Sequence, residues 1–218
     1  MRERAQLKEA AKQQLAGKWV DASVCVLVFS LILGMASCVG QILKFPLMSR
    51  VVALVVAGPL IYGVTKYFLD LSRNKVVEIK TLFAGFQEMF SPSLKLYLWM
   101  VLKIFLWSLL LFVPGIIKGY AYSQAFYLLN DNKKLGYKEA LDQSEKMMDG
   151  HKGELFMLQL SFIGWTILAM IPCGLGLFVL APYMSTTLAN YYEDLKGKSS
   201  VKADKKSVQD MEKELGVA

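Results

Sequence analysis

Residues 19–39 read WVDASVCVLVFSLILGMASCV and carry one charge, Asp21, at the edge of the run. About 20 apolar residues wound into an α-helix cross the hydrocarbon of a bilayer, and such a run is too long for a core strand or an ordinary buried helix. The rest of the chain has the same character. Of its 218 residues 55% are hydrophobic and mean hydropathy is +0.38, whereas a soluble domain has enough polar surface to stay near or below zero. Five further runs follow, at 51–71, 94–113, 115–129, 155–171 and 175–192. Those at 115–129 and 155–171 are short for a span, so length alone leaves the count at four, five or six.

The positions of lysine and arginine decide among these counts, because short cytoplasmic loops retain them and translocated loops are depleted of them. With six spans, one side holds Arg2, Arg4, Lys8, Lys12 and Lys18, then Arg73, Lys75 and Lys80, then Lys133, Lys134, Lys138, Lys146 and Lys152, and finally the lysines from Lys196 onward. The other side holds only Lys44 and Arg50. If 115–129 did not cross, the block around Lys133 and the lysine-rich C-terminus would both face outward, against the bias. The reading is therefore an all-α polytopic bundle of six spans in the plasma membrane, with both termini cytoplasmic. Residues 1–195 form one membrane domain and 196–218 a mobile charged tail, with a short helix around Met211.

A weak internal repeat gives the same count, in three units at approximately 3–75, 76–135 and 136–195. Each unit reads as an amphipathic stretch, a span, a turn, and a second span starting near a proline. The amphipathic faces are Leu7, Ala11 and Leu15; Ile79, Leu82, Phe83, Phe86 and Phe90; and Tyr137, Ala140, Leu141, Ser144, Met147 and Met148. They are expected to lie in the inner interface of the bilayer. The second spans share a proline, a small residue, an aromatic pair and an acid. These are Pro59, Gly63, Tyr67-Phe68 and Asp70; Pro114, Gly119, Phe126-Tyr127 and Asp131; and Pro182, Thr186, Tyr191-Tyr192 and Asp194. Proline near a helix start removes no intrahelical bond, and the aromatic pairs are expected at the headgroup boundary. Ser91-Pro92 suits the start of the third span, with Ser as cap and Pro in the first turn.

Few residues suggest chemistry. The net charge of +7 follows from the flanks of the spans, with no aromatic-interleaved basic stripe, so nucleic acid is excluded as a partner. His151 is the single histidine. No His-Glu-x-x-His helix, Gly-x-Ser-x-Gly elbow or phosphate-binding glycine loop is present, and neither a metal nor a cofactor is expected. A serine-lysine hydrolase using Lys103 as base has no diagnostic spacing here, and the chain reads as a non-enzyme. Met35-Ala36-Ser37-Cys38 loosely resembles a lipoprotein cleavage box, but the preceding segment is long and contains Glu3 and Glu9. Cys25, Cys38 and Cys173 are too scattered for a zinc set, and a Cys38–Cys173 disulfide near the outer face is an expectation to test.

Lys103 lies near the middle of its span, where an ammonium costs several kcal/mol unless it snorkels, pairs or meets water. It heads a candidate polar path with Lys66 and Asp70, Asp70 being also the carboxylate with which it can pair. Lys66 and Lys118 lie nearer opposite span ends and can reach the interfaces. Gly115 with Gly119, and Ala181 with Ser185, have the spacing that lets helix backbones approach, within one chain or between copies. Gln124, Gln159, Ser161, Thr166 and Asn190 are candidates for hydrogen bonds between helices.

The C-terminal third carries Ser144-x-x-x-Met148-x-Gly150-His151-Lys152, Leu160-Ser161-Phe162-Ile163-Gly164-Trp165, Gly174-x-Gly176, Pro182-Tyr183 and Tyr191-Tyr192-Glu193-x-Leu195. In these residues the chain resembles the integral membrane proteins of Gram-positive bacteria grouped as domain of unknown function 975, over most of 7–195. It departs from their pattern at Lys133, where a proline is usual, and at Pro172, where a threonine is. The resemblance implies location and architecture and brings no catalytic residue. A broader similarity is to the membrane domains attached to some bacterial glycerophosphodiester phosphodiesterases, which implies a lipid-facing or accessory role. The function expected is a non-enzymatic membrane module whose partners are membrane lipids, a membrane protein or a second copy of the chain. The alternative is a small-solute carrier or channel with its path at Lys103.

Overall fold

A computed structural model describes residues 3–42, 46–110, 112–171 and 174–214, and the described residues contain helices and turns without strands. Helix α1 (Arg4–Leu15) buries Leu7, Ala11 and Leu15, which recur every four residues on one face. It ends at Gly17, whose φ of +74° favours glycine. Helix α2 (Trp19–Ile42) and helix α3 (Pro46–Ser72) form the first hairpin. A 3-10 turn (Ile79–Phe83) and the short α4 (Ala84–Gln87) lead into α5 (Phe90–Leu110). The chain returns through α6 (Phe112–Ala121) and α7 (Ala125–Asp131). Next come α8 (Tyr137–Met147), α9 (Lys152–Leu160), α10 (Ile163–Met170) and α11 (Leu175–Glu214).

Among the described residues, four segments are long and apolar enough to cross a membrane: Trp19–Ala36, Arg50–Ser72, Phe90–Leu110 and Lys152–Met170. The segment 115–129 is not one helix, because Tyr122, Ser123 and Gln124 form a turn between α6 and α7. The segment 155–171 is likewise divided, at Ser161-Phe162. Polar groups make both breaks affordable. Ser144 of α8 donates its hydroxyl to the Ala121 carbonyl at 2.7 Å and accepts from the Gln124 amide at 3.1 Å, filling the positions left by the missing helical turn. Lys8 donates to the Ser161 carbonyl at 3.2 Å.

The bundle has two unlike halves. At one end the C-terminal parts of α3 and α7 meet the middle of α11, and three adjoining clusters pack there. One joins Tyr62, Leu96, Phe126 and Leu141, another Leu15, Cys25, Tyr67, Phe68 and Ala189, and a third Leu7, Leu155, Phe162, Tyr191 and Leu195. At the other end, where the hairpins turn, large apolar side chains point outward: Leu31 and Met35 on α2, Phe105, Leu109 and Leu110 on α5, and Ile167, Ile171 and Leu175 around α10 and α11. Polar solvent would penalise such a belt, and hydrocarbon does not.

Several expectations are corrected. The faces of α1 and α8 do not lie in the interface: Leu7, Ala11 and Leu15, and Ala140, Leu141, Ser144 and Met148, are buried against other helices. Only the middle stretch keeps much of its face outward, with Ile79, Phe83, Phe86 and Phe90 exposed. Nor do the aromatic pairs line a headgroup belt. Tyr67, Phe68, Phe126, Tyr191 and Tyr192 are buried, and Tyr127 stacks on Tyr192 at 5.1 Å, because α3, α7 and α11 pack on one another at the centre. Pro59 and Pro182 lie inside α3 and α11 instead of at their starts. Pro92 stands in the first turn of α5, where its missing amide costs nothing. The helix expected around Met211 is the end of α11, which runs on past Lys196 to Glu214. The lysines from Lys198 to Lys213, with Gln209, Glu212 and Glu214, are good helix formers and favour that continuation.

Two glycines set how closely α3 approaches the 3-10 turn and α4. A Cβ on Gly63 would overlap the Leu82 backbone carbonyl, and one on Gly85 would overlap that of Pro59. The backbones are in direct contact, so neither neighbour can give way as a side-chain tip does.

Candidate functional site

The polar residues of the packed half form a connected set. Asp131, at the C-terminus of α7, has its side chain only 12% exposed. Its Oδ1 accepts from Arg73 Nη2 at 2.7 Å, and its Oδ2 accepts from Tyr192 Oη at 2.7 Å and Lys196 Nζ at 2.6 Å. Arg73, just beyond α3, also donates from Nε to Glu193 Oε1 at 2.9 Å. Burial alone would raise the Asp131 pKa, but the hydrogen bonds from Lys196, Tyr192 and Arg73 outweigh it and hold the carboxyl below its ordinary value. The set therefore ties the ends of α3 and α7 to α11. Nearby, Gln14 of α1 and Asn190 of α11 exchange amide hydrogen bonds at 3.1 and 2.8 Å, and Gln14 also donates to the Ser72 carbonyl.

The residues of the candidate polar path are not brought together. Lys66 pairs with Glu88 at 3.1 Å, Glu88 also binds Lys133, and Asp70 pairs with Lys75 at 2.8 Å. The Lys133 hydrogen bond is the main cause of a lowered Glu88 pKa. Lys103 reaches neither Lys66 nor Asp70 to make a path or a pair. Its ammonium lies over the Tyr122 ring, 5.5 Å from the centroid, and among the described residues no carboxylate is within ion-pair distance of it. Lys118 lies on the same side of the bundle and binds Glu145 of α8 at 2.5 Å, 5.3 Å from the Trp107 centroid. Helix α6, which carries Lys118, is ten residues long and lies beside α8 and α9. The Lys118 hydrogen bond lowers the Glu145 pKa.

The small-residue positions behave unequally. A Cβ on Gly115 would overlap Ser108 Oγ of α5, so this glycine serves contact within the chain, whereas a Cβ on Gly119 meets nothing within 4 Å. Ala181 and Ser185 are half-buried on α11. Gln159 accepts from Tyr120 of α6 at 2.8 Å and Asn190 bonds to α1, but the hydroxyls of Ser161 and Thr166 turn back onto their own segment. The Gln124 side-chain amide donates to the adjacent Ser123 hydroxyl at 2.9 Å. Cys38 is a free, exposed thiol. Its proposed partner Cys173, together with Pro172 and Lys44, lies outside the described residues. His151 faces Glu154 at 3.0 Å, and its carbonyl accepts from Tyr191 Oη. Glu88, Glu145, Gln14 and Arg73 were not singled out by sequence. The available signal was that Glu88 and Glu145 lie on amphipathic stretches beside otherwise unpaired span lysines.

Two hollows remain. One of about 770 Å³ opens between the start of α1 and α9, lined by Glu3, Arg4, Leu7, Glu154 and Tyr191. The other, of about 400 Å³, is a lateral groove between α1, the start of α2, α10 and α11.

The family model described as a protein of unknown function (DUF975) matches residues 1–118 and 109–199. The chain belongs to this family. No curated protein and no solved structure matches the chain. Within the DUF975 match lie the four segments long and apolar enough to cross a membrane and every residue of the Asp131 set.

Proposed function

We propose that the chain is a six-span module of the plasma membrane, with both ends in the cytoplasm, that binds membrane proteins or lipids and catalyses no reaction. The order of elements supports three repeats. An amphipathic segment, an apolar helix and a returning helix occur as α1, α2 and α3, then as 79–87, α5 and α6–α7, and then as α8, α9–α10 and α11. The bias of lysine and arginine supports the orientation.

One observation carries the functional reading: the span lysines Lys66 and Lys118 and the charged groups around Asp131 are taken up by partners within the chain, and the buried polar atoms left without a partner, Tyr62 Oη, Tyr67 Oη, Gln124 Oε1 and Asn130 Oδ1, are all uncharged. Arg73 holds Asp131 and Glu193, Lys66 holds Glu88, Lys118 holds Glu145 and Gln14 holds Asn190. A substrate site needs convergent polar groups free to meet a ligand, whereas here the outward surface is apolar and suits lipid or another helix. The same pairing weighs against a carrier or channel.

A cysteine at position 103 (Lys103→Cys), in a background lacking Cys25, Cys38 and Cys173, is expected to resist small aqueous thiol reagents. Rapid labelling would move the reading to a carrier. Capture of the tagged full chain in mild detergent is expected to retain a specific membrane protein or lipid, and its repeated failure would remove the module reading. Reporter domains fused after Ala218 and at Asn132 are expected to be active on the cytoplasmic side only.

A further inference from the structure

The lateral groove of about 400 Å³ is lined by Lys12, Trp19, Trp165, Leu168, Val179 and Tyr183. Its rim residues Trp165, Leu168 and Val179 are exposed on the apolar belt, so in a spanning molecule it opens sideways into hydrocarbon. Its floor is aromatic: Trp19 lies 6.4 Å from Tyr183, and Tyr183 meets Phe162 edge-on at 5.3 Å. Gly176 lets α11 close on α10, since a Cβ there would stand 2.7 Å from Ala169 Cα. At the charged end stands Lys12, exposed in the last turn of α1, with no ion-pair partner among the described residues. Trp19 follows one short turn later, as an indole at a polar-apolar boundary.

We propose that this groove holds one acyl chain of an anionic phospholipid, with its headgroup phosphate at Lys12. The surroundings supply the apolar occupant, and the unpaired ammonium selects its charge. A partner helix fits less well, because a cylinder of about 10 Å diameter running three turns needs several times the groove's volume. The inference rests on the reading of the chain as a lipid-embedded module, and names the lipid.

Bromine on acyl chains quenches nearby tryptophan, which gives a direct readout for the full chain in phosphatidylcholine vesicles. One variant keeps Trp165 alone (W19F, W99F, W107F), and a second keeps Trp107 alone. Brominated phosphatidylglycerol is expected to quench Trp165 at a mole fraction about fivefold lower than brominated phosphatidylcholine, the worth of roughly one lysine beside anionic lipid. Lys12→Gln should abolish that preference and leave quenching by brominated phosphatidylcholine unchanged, which also reports an intact fold. Trp107 should show no preference. Equal quenching of Trp165 by both lipids, the same preference at Trp107, or a preference that survives Lys12→Gln would each overturn the site while leaving the membrane module intact. Absence of quenching at both tryptophans would instead overturn the lipid-embedded reading itself.

Discussion

The half of the molecule that holds Asp131 and the half where the hairpins turn are made from the same helices but are held together differently. In the first, tyrosines are buried, carboxylates meet lysine and arginine, and glycine brings backbones into contact. Along two helices that run on into the second, only 17% of the Trp19–Ala36 window and 11% of the Phe90–Leu110 window is buried inside the protein, and the buried residues such as Cys25 and Leu96 fall in the packed half, so the remainder mostly faces its solvent. The contrast follows from the solvent. Lipid tails are as apolar as leucine, so helices in hydrocarbon gain little from hiding leucine against each other and rely on close packing and polar links. Stability is therefore expected to reside in the Asp131 half.

Three substitutions bear most directly on that division. Gly85→Ala drives a Cβ into the Pro59 carbonyl and should cost at least about 2 kcal/mol, whereas Gly34→Ala on α2, with nothing within 4 Å, should be neutral or slightly stabilising. Thermal unfolding in detergent, followed by size-exclusion retention, compares the two, and equal melting would erase the contrast. Asp131→Asn should cost about 2 kcal/mol at neutral pH by leaving Arg73 and Lys196 without their carboxylate. Because the folded pKa of Asp131 is depressed, its contribution is present above the unfolded value near 4 and is lost as pH falls through the lower folded value. The wild type should therefore lose its advantage over Asp131→Asn on acidification, and a constant difference down to strongly acidic pH would remove this origin.

Smaller effects are expected further from that centre. The Lys118–Glu145 pair is partly exposed, at 22% and 37%, and a double-mutant cycle with Lys118→Met and Glu145→Gln should give a coupling of about 1 kcal/mol or less. A coupling several times larger would move the boundary of the tightly held half out to α8. Leu109→Ala, at a position 75% exposed on α5, should stay within about 0.5 kcal/mol because that side chain meets lipid whether or not the helices are packed. A large loss there would mean that the apolar end is covered by protein.

The sequence shows the first span, the faces of α1 and α8 and the candidate glycine at 115 plainly, since long apolar runs and four-residue spacing are local signals. It does not show what those faces touch. In an aqueous protein an apolar face points to the core, but beside a bilayer both lipid and core are apolar, so the same periodicity on α1 and on 79–90 leads to burial in one and exposure in the other. The breaks at 122–124 and 161–162 contain neither glycine nor proline. They depend on Ser144 and Lys8 arriving from other segments, which no local pattern announces. Glu88 and Glu145 escaped notice for a similar reason, since each is distant in sequence from the lysine it neutralises.

Ser144 also bears on the order of assembly during synthesis. The turn between α6 and α7 has no means of satisfying Ala121 and Gln124 until a residue some twenty positions downstream has emerged. Helix α1 waits longer still, since its docking surface includes Tyr191 and Leu195 and its amide partner is Asn190. Helix α1 leaves the ribosome well before α11, so its seat on α11 can form only after that helix has been made, and a chain halted after its second hairpin is left with α1 held at its C-terminal end alone, by Leu15 and Gln14 against α2 and α3.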